Sequence, residues 1–152
     1  MISFRQVTDK DWDAIAWLAS DAVQEGDHGG LETGWVEKRL SFDGQRLDLV
    51  AEASGDVVGY CAIEHGTGDA AGRWRVFLLA DWDEGNAALH EALLARAAEM
   101  LAGKQATLAW MREFSDDARL IHFVRAHGFD VTKQYTYDGR EMVNLEKGVA
   151  TD

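Results

Sequence analysis

Apolar and polar positions follow two different periods along this chain, and each change of period marks a new element. Alternation or a short apolar run, both typical of strands, occurs in seven stretches: residues 2–7, 46–53, 57–64, 73–80, 106–111, 131–137 and 141–145. Apolar residues three and four apart, typical of amphipathic helices, recur from Trp12, Glu32, Ala87 and Ser115 onwards. The resulting order, β-α-α-β-β-β-α-β-α-β-β, predicts an α/β fold with a mixed sheet.

The most strongly patterned unit is a strand, a turn and a helix between residues 73 and 103. Residues 73–80 begin with alternation and end as an apolar run, which predicts a central strand, and residues 81–86 form an acidic turn. The helix from Ala87 is expected to end at Gly103. The first backbone N–H groups of a helix have no partner within it, so such a turn is a physical site for an anion.

The helix starts carry side chains that accept hydrogen bonds from free backbone N–H groups. Thr8 or Asp9 is the expected N-cap of the first helix, and Ser115 or Asp116 that of the last. Most tryptophans fall on core-facing positions of helices or strands, as for Trp110, and core packing is the simpler interpretation of them.

Length, composition and charge limit the class of protein. A chain of 152 residues that is 47% apolar predicts one globular domain, expected at residues 1–148, with 149–152 as a disordered tail. No long apolar run predicts a membrane span, the first residues lack a signal-peptide pattern, and Cys61 is the single cysteine, so we expect a cytoplasmic protein. The net charge of −12 disfavours nucleic acids; solubility explains it more simply than cationic partners such as amines.

Four segments, taken in order, resemble the GCN5-related N-acetyltransferase (GNAT) superfamily, and the resemblance covers nearly the whole chain. They are the opening strand Ile2-Ser3-Phe4-Arg5 followed by Asp11, the hairpin from Leu49-Val50-Ala51-Glu52 to Gly59-Tyr60, the helix Leu89-His90-Glu91-Ala92-Leu93-Leu94-Ala95-Arg96-Ala97, and the stretch Phe123-Val124-Arg125-Ala126-His127-Gly128-Phe129-Asp130. The resemblance implies a mixed, mostly antiparallel sheet of about seven strands flanked by about four helices.

The resemblance also implies acetyl-CoA as co-substrate, without a metal, and transfer of its acetyl group to a primary amine of a small molecule. In this superfamily the central strand parts from the next strand, and pantetheine lies in the gap. The residues implied to hold the cofactor by their backbone are Phe77, Leu78, Leu79 and Ala80 for pantetheine, and Gly85, Asn86 and Ala87 for the pyrophosphate. Trp35 lies in the segment that borders the acceptor, and a homodimer is expected by analogy.

The sequence departs from the family pattern at the phosphate turn. The family has Arg or Gln at the position occupied here by Trp82 or Asp81, and Asp83 and Glu84 add further negative charge. Like charges close to a pyrophosphate weaken its binding, whereas carboxylates in a first helical turn simply stabilise the helix dipole. Arginines and lysines from elsewhere restore binding if they surround this turn. The candidates are Arg73, Arg75, Arg96, Lys104, Arg119 and Arg125.

The catalytic residues are the least defined part of the pattern. Val124 stands where the family often has a tyrosine that protonates the leaving thiolate. The proton must then come from water or from another donor, for which Tyr135 is the candidate and Tyr137 the alternative. Glu64 acting through water is the preferred general base. Glu113 and His65 are alternatives, and an exposed strand-end position without catalysis is the simpler interpretation of all three.

No metal site is predicted, because the five histidines show no ligand spacing and Leu94 replaces the second histidine of a zinc-protease helix. Two functions therefore remain open. The first is an acetyl-CoA-dependent N-acetyltransferase. The second is a catalytically degenerate module of the same fold that binds an acyl-CoA, a ligand or a partner protein.

Overall fold

A computed structural model describes residues 2–24, 39–80, 87–137 and 139–149 of the chain. The strands are β1 (Ile2–Gln6), β2 (Gly44–Ala53), β3 (Asp56–Gly66), β4 (Arg73–Ala80), β5 (Leu108–Phe114), β6 (Asp130–Tyr137) and β7 (Arg140–Gly148). The helices are α1 (Trp12–Gln24), α2 (Ala87–Gly103) and α3 (Ala118–Ala126). The α/β fold class is confirmed; the helix predicted from Glu32 falls largely outside the described residues.

All seven strands form one sheet in the order β1-β2-β3-β4-β5-β7-β6. Each neighbouring pair is antiparallel except β4 with β5, which is parallel and is connected through α2. The mixed, mostly antiparallel sheet that the sequence predicts is therefore confirmed. The parallel pair lies in the middle of the sheet, where chain segments on both sides can shield it.

The two faces of the sheet carry separate apolar cores. On one face, α2 and α3 pack Leu93 and Val124 into a cluster with alternate residues of the central strands, such as Cys61 and Leu78. On the other face, α1 packs Ile15 against a smaller cluster from the remaining strand positions. Successive strand residues point to opposite faces, so each central strand contributes to both cores.

Helix α2 buries the face that its sequence predicts. Leu89, Leu93, Ala97 and Leu101 are all at most 5% exposed. Gly59 of β3 lies under Leu93, and a Cβ at this glycine would be 3.1 Å from a Leu93 methyl carbon. The missing side chain therefore lets the helix approach the sheet closely, which fixes where α2 begins relative to β4.

The helix starts show one prediction confirmed and one wrong. Thr8 is the N-cap of the 3₁₀ turn Asp9–Asp11 that leads into α1, and its backbone N–H donates to the Asp11 carboxylate at 2.6 Å. At α3 the N-cap is Asp117, which accepts a hydrogen bond from the Leu120 N–H at 3.5 Å, and not Ser115 or Asp116. The reason is that β5 continues to Phe114, beyond its predicted end, and moves the turn along the chain.

A tight turn starts the parallel pairing of β4 and β5. The Gly72 carbonyl accepts hydrogen bonds from the N–H groups of Thr107 and Leu108, at 2.8 and 3.0 Å. Gly72 has a φ of +79°, and a Cβ there would lie 2.3 Å from Thr107 Oγ1. Glycine adopts this left-handed backbone without strain, and any side chain here would also require the Thr107 side chain to move.

The far end of the chain stays attached to the sheet as far as it is described. The Val149 N–H donates to the Thr107 carbonyl at 2.9 Å, directly beside the start of β5. None of the described helices combines the length and the apolar character that a membrane span requires.

Candidate functional site

Strands β4 and β5 pair only at one end. Residues Arg73 to Arg75 lie beside Leu108 to Trp110 in parallel register. From there on, residues 76–80 pair with β3, and residues 111–114 pair with β7. The two strands therefore part after Arg75 and Trp110, and we call the gap between residues 76–80 and 111–114 the slot.

The β4 side of the slot offers backbone hydrogen-bonding groups to an occupant. In an antiparallel pair, alternate residues direct their N–H and C=O groups away from the partner strand, so part of the backbone at residues 76–80 faces the slot. These five residues extend about 17 Å, and their side chains are at most 9% exposed. Buried backbone polar groups need partners, so the slot suits an extended chain that binds as an additional strand.

The predicted cofactor residues divide between the slot and the segments outside the described residues. Phe77, Leu78, Leu79 and Ala80 form the β4 side of the slot, and Ala87 is the first residue of α2. The parting of the strands that the resemblance implies is therefore present, and it runs past Leu79. Gly85, Asn86 and Trp35 lie outside the described residues, so their roles stay predictions.

Three arginines surround one tryptophan at the closed end of the slot. The guanidinium carbons of Arg73, Arg75 and Arg112 lie 4.9, 5.2 and 5.8 Å from the centre of a Trp110 ring. We call these four residues the arginine–tryptophan cluster. It lies on the α1 side of the sheet, because Arg75 also stacks on Phe77 of the α1-facing core at 4.4 Å. The interpretation of Trp110 as a core residue is wrong, because the ring belongs to neither apolar core.

The indole of Trp110 has an unused hydrogen-bond donor. Its Nε1 is buried and finds no acceptor among the described residues. Burying such a donor without a partner costs about 1–3 kcal/mol. This donor lies at the closed end of the slot, so it is a candidate contact for a molecule that binds there.

A second charged network lies beside the cluster, around Arg39, which is only 2% exposed. The Arg39 guanidinium donates to the carboxylates of Glu64 and Asp48, and its Nε donates to the Tyr60 hydroxyl at 3.2 Å. It also stacks on the Phe77 ring at 4.4 Å, so Phe77 contacts both Arg39 and Arg75. This network therefore fixes the position of the Phe77 side chain, which borders the slot.

Glu64 is buried, at 8% exposure, and is not the exposed strand-end residue of the simpler interpretation. Burial raises the pKa of its carboxyl group, against the opposing effect of Arg39 and of Arg75, which lies 4.0 Å away. His65 contacts Trp74 on the opposite side of the sheet. Glu113 follows Met111 at the strand period and faces that same opposite side. Of the three candidate bases, Glu64 alone shares a side with the cluster.

Tyr135 reaches the cluster through Arg112. Its hydroxyl accepts a hydrogen bond from Arg112 Nε at 2.8 Å and donates to Asn144 Oδ1 at 2.6 Å. Tyr135 is on β6, which is three strands away from β4, or about 14 Å. Its contact with the slot is therefore indirect, and its role as an acid stays a prediction. Val124 is fully buried in the core under α3.

Three of the six cations proposed to surround the phosphate turn lie in other parts of the structure. Arg73 pairs with Glu146 at 2.6 Å, and with Arg75 it lies at the closed end of the slot, opposite the end that leads to α2. Arg96 stacks on Phe4 of the edge strand β1 at 4.8 Å. Among the described residues, no group of three or more His, Cys, Asp or Glu side chains could hold a metal ion.

No protein-family model and no curated protein matches the sequence. Solved structures do match. A GNAT-family acetyltransferase from Staphylococcus aureus Mu50 superimposes with a TM-score of 0.81 at 8% identity, over 99% of this chain and 100% of that one. PaiA N-acetyltransferase from Thermoplasma acidophilum, in complex with coenzyme A, gives 0.71 at 16% identity, over 97% and 99%. The ribosomal-protein-S18-alanine N-acetyltransferase from Escherichia coli gives 0.70 at 16%, over 100% and 96%.

The chain therefore has the fold of the GNAT acetyltransferases over its whole length. At identities of 8% to 16%, this likeness shows the fold alone. The activity has to be argued from the slot and from the side chains around it.

Proposed function

We propose that this protein is an acetyl-CoA-dependent N-acetyltransferase that acts on a primary amine of a small molecule. The observation that carries the proposal is the limited pairing of β4 and β5, which ends at Arg75 and Trp110. Pantetheine is an extended chain with two amide groups, and it fits a gap that offers strand-type hydrogen bonds along one side. The coenzyme A complex of the structural neighbour from Thermoplasma acidophilum supports this choice of ligand.

The direction of the cofactor follows from the chain path. The open end of the slot is at Ala80, and α2 starts seven residues later at Ala87. Free N–H groups at a helix N-terminus favour phosphate, so the pyrophosphate binds near Gly85, Asn86 and Ala87. The thioester then lies towards the closed end, beside Arg75 and Trp110.

The reaction needs one proton removed and one returned. The amine must be uncharged to attack the thioester carbonyl, and the coenzyme A thiolate takes up a proton as it leaves. We assign the first role to Glu64 acting through water, because it shares a side of the sheet with the cluster at the closed end. Tyr135 contacts that end only through Arg112, and its hydroxyl donates to Asn144. A guanidinium cannot pass on a proton, so we assign the second role to water in the slot.

Val124 favours a second candidate function. In the described part of the chain, the position where the family often has a proton-donating tyrosine holds a fully buried valine. A module that binds an acyl-CoA without catalysis is consistent with that observation. It shares the slot with the transferase and differs only in turnover.

Ligand-induced stabilisation tests whether the slot binds the cofactor. A ligand at about 100 times its Kd stabilises by about 2.7 kcal/mol, which raises Tm by several degrees. We expect acetyl-CoA and acetyl-pantetheine both to raise Tm, because both can fill the slot. Adenosine 3′,5′-bisphosphate, which lacks pantetheine, is the matched control and should have little effect. If neither thioester changes Tm at millimolar concentration, the proposal is wrong.

Turnover separates the two candidate functions. Release of free thiol on a panel of amines supports the transferase, whereas binding without release supports the module.

Glu64→Gln tests the general base. We expect E64Q to lower kcat/KM at least tenfold and to remove the pH dependence of kcat/KM below neutrality. Glu91→Gln, on the exposed side of α2, is the control. A pH profile that E64Q leaves unchanged makes Glu64 a positioning residue.

A further inference from the structure

We propose that the acceptor amine also carries an anionic oxygen group, most simply a carboxylate, and that Trp110 binds this group together with Arg75 and Arg112. The inference rests on the proposed function for the location of the thioester. It adds the chemical class of the acceptor, which the fold does not supply.

The first observation is the unused donor on Trp110. Its buried Nε1 has no hydrogen-bond acceptor among the described residues, and an indole N–H can donate but never accept. A ligand that satisfies it must therefore present an acceptor atom. An amine with no oxygen group leaves this donor unpaired.

The second observation is the concentration of positive charge around the same ring. Three guanidinium groups lie within 5.8 Å of Trp110, although the chain as a whole carries a net charge of −12. Glu146 pairs with Arg73, and Glu64 lies 4.0 Å from Arg75. A guanidinium presents a planar fork of N–H groups that matches two oxygens of one carboxylate. The cluster therefore selects an anion rather than a second cation.

The third observation is the position of the cluster. Arg75 and Trp110 are the last paired residues before β4 and β5 part, so they mark the closed end of the slot. A carboxylate held there keeps an amine on a neighbouring carbon close to the thioester. The guanidinium of Arg112 is oriented by its hydrogen bond to Tyr135, which in turn is held by Asn144.

Nuclear magnetic resonance tests the inference without requiring turnover. The indole Nε1–H signal of Trp110 is assigned from its loss in Trp110→Phe, and the protein is titrated with amino acids, their aminophosphonate analogues and the amines formed by removing the acid. We expect a shift of this signal with acidic amines, and a Kd at least tenfold weaker for the amine that lacks the acid. Equal affinity for both, or no shift with any acidic amine, overturns the proposal. Aminophosphonates that bind more tightly than amino acids identify the anion as phosphonate-like and keep the proposal.

Matched variants separate specificity from stability. Trp110→Phe keeps an aromatic ring and removes the donor. We expect it to weaken binding of the acidic amine at least fivefold and to leave the Kd of the amine that lacks the acid unchanged. Trp74→Phe is the matched control, because Trp74 lies in the core on the other side of the sheet, and it should change neither Kd. Equal weakening of both amines by W110F contradicts the assignment. Loss of acetyl-CoA binding with retained amine selectivity refutes the proposed function but not this site.

Discussion

The two faces of the sheet use their buried positions in opposite ways. On the side of α2 and α3, the strands contribute an apolar core that extends from Ala51 to Leu145. On the side of α1, the apolar core is smaller, and beside it Arg39 is buried with the carboxylates of Glu64 and Asp48. Buried ion pairs are a weak source of stability, because desolvation offsets their attraction. The first face stabilises the fold, and the second maintains the charges that border the slot.

The comparison explains why the candidate site is where it is. The strands part at Arg75 and Trp110, and the arginine–tryptophan cluster lies on the charged side of that point. A ligand in the slot therefore has the apolar core on its α2 and α3 side and the charged groups on its α1 side. Rigid support for charged groups is what a site needs in order to orient a substrate.

Arg39→Met is expected to have the largest effect, because it leaves two carboxylates near one another without their shared cation. Removing one partner of a buried pair costs about 3–5 kcal/mol, to be measured by urea unfolding. Arg96→Met, which breaks a surface pair with Glu99, should cost at most about 1 kcal/mol. The double variant R39M/E64Q should recover part of the loss. Equal losses of unfolding free energy for R39M and R96M would contradict the claim that the charges on the α1 side are buried and paired.

Leu93→Ala tests the apolar face. Leu93 is fully buried between α2 and Gly59, and its truncation is expected to cost about 2–5 kcal/mol of unfolding free energy. Leu94→Ala, at a partly buried position of the same helix, should cost less. The R39M loss should depend strongly on pH and the L93A loss should not, since only the first concerns titratable groups. A pH-independent R39M loss would contradict this.

Gly72→Ala sharpens the contrast between the closed and open ends of the β4–β5 pair. The left-handed backbone costs an alanine about 1–2 kcal/mol, and its Cβ would also meet Thr107 Oγ1. Gly55→Ala is the matched control, with a φ of +84° and no atom within 4 Å of the added Cβ. We expect G72A to lower Tm more than G55A. Similar Tm shifts for the two variants would show that the Thr107 side chain moves aside at little cost.

Replacing Asp11 is expected to have the smallest effect, and the direction of its pH dependence is defined. Arg5 donates hydrogen bonds to both carboxylate oxygens of Asp11, each at 2.7 Å, and holds its pKa well below the usual range. Because the folded pKa lies below the unfolded value of about 3.9, the stabilisation is complete above that pH. It is lost as the pH falls through the folded pKa. Asp11→Asn should therefore flatten the acid limb of the unfolding free energy, and the exposed control Asp9→Asn should leave it as it is.

The sequence predicted the fold closely, because strand and helix periods are local signals. Residues 73–80 were predicted to be a strand and match β4 at both ends. The apolar face of α2 was predicted from spacing and is buried as expected. The N-cap of α3 was assigned wrongly, because Ser115, Asp116 and Asp117 are all capable caps and only the length of β5 selects among them.

The candidate site was predictable in its backbone and not in its side chains. The parting of the two strands followed from the resemblance, which concerns chain order. The arginine–tryptophan cluster depends on the register of two strands that are distant in sequence, since Arg75 lies beside Trp110 only in the folded chain. One local signal was available: Arg73 and Arg75 are two apart, as are Trp110 and Arg112, which places each pair on one face of its strand.

Amide hydrogen exchange along β4 tests the slot most directly. The protein is measured free and with saturating acetyl-CoA, and the amides of residues 76–80 are followed one by one. The amides directed towards β3 should exchange at the same rate in both states, and those directed towards β5 should become protected when the cofactor binds. Protection that does not alternate along these residues, or no change at all, would contradict an acyl-CoA bound between β4 and β5.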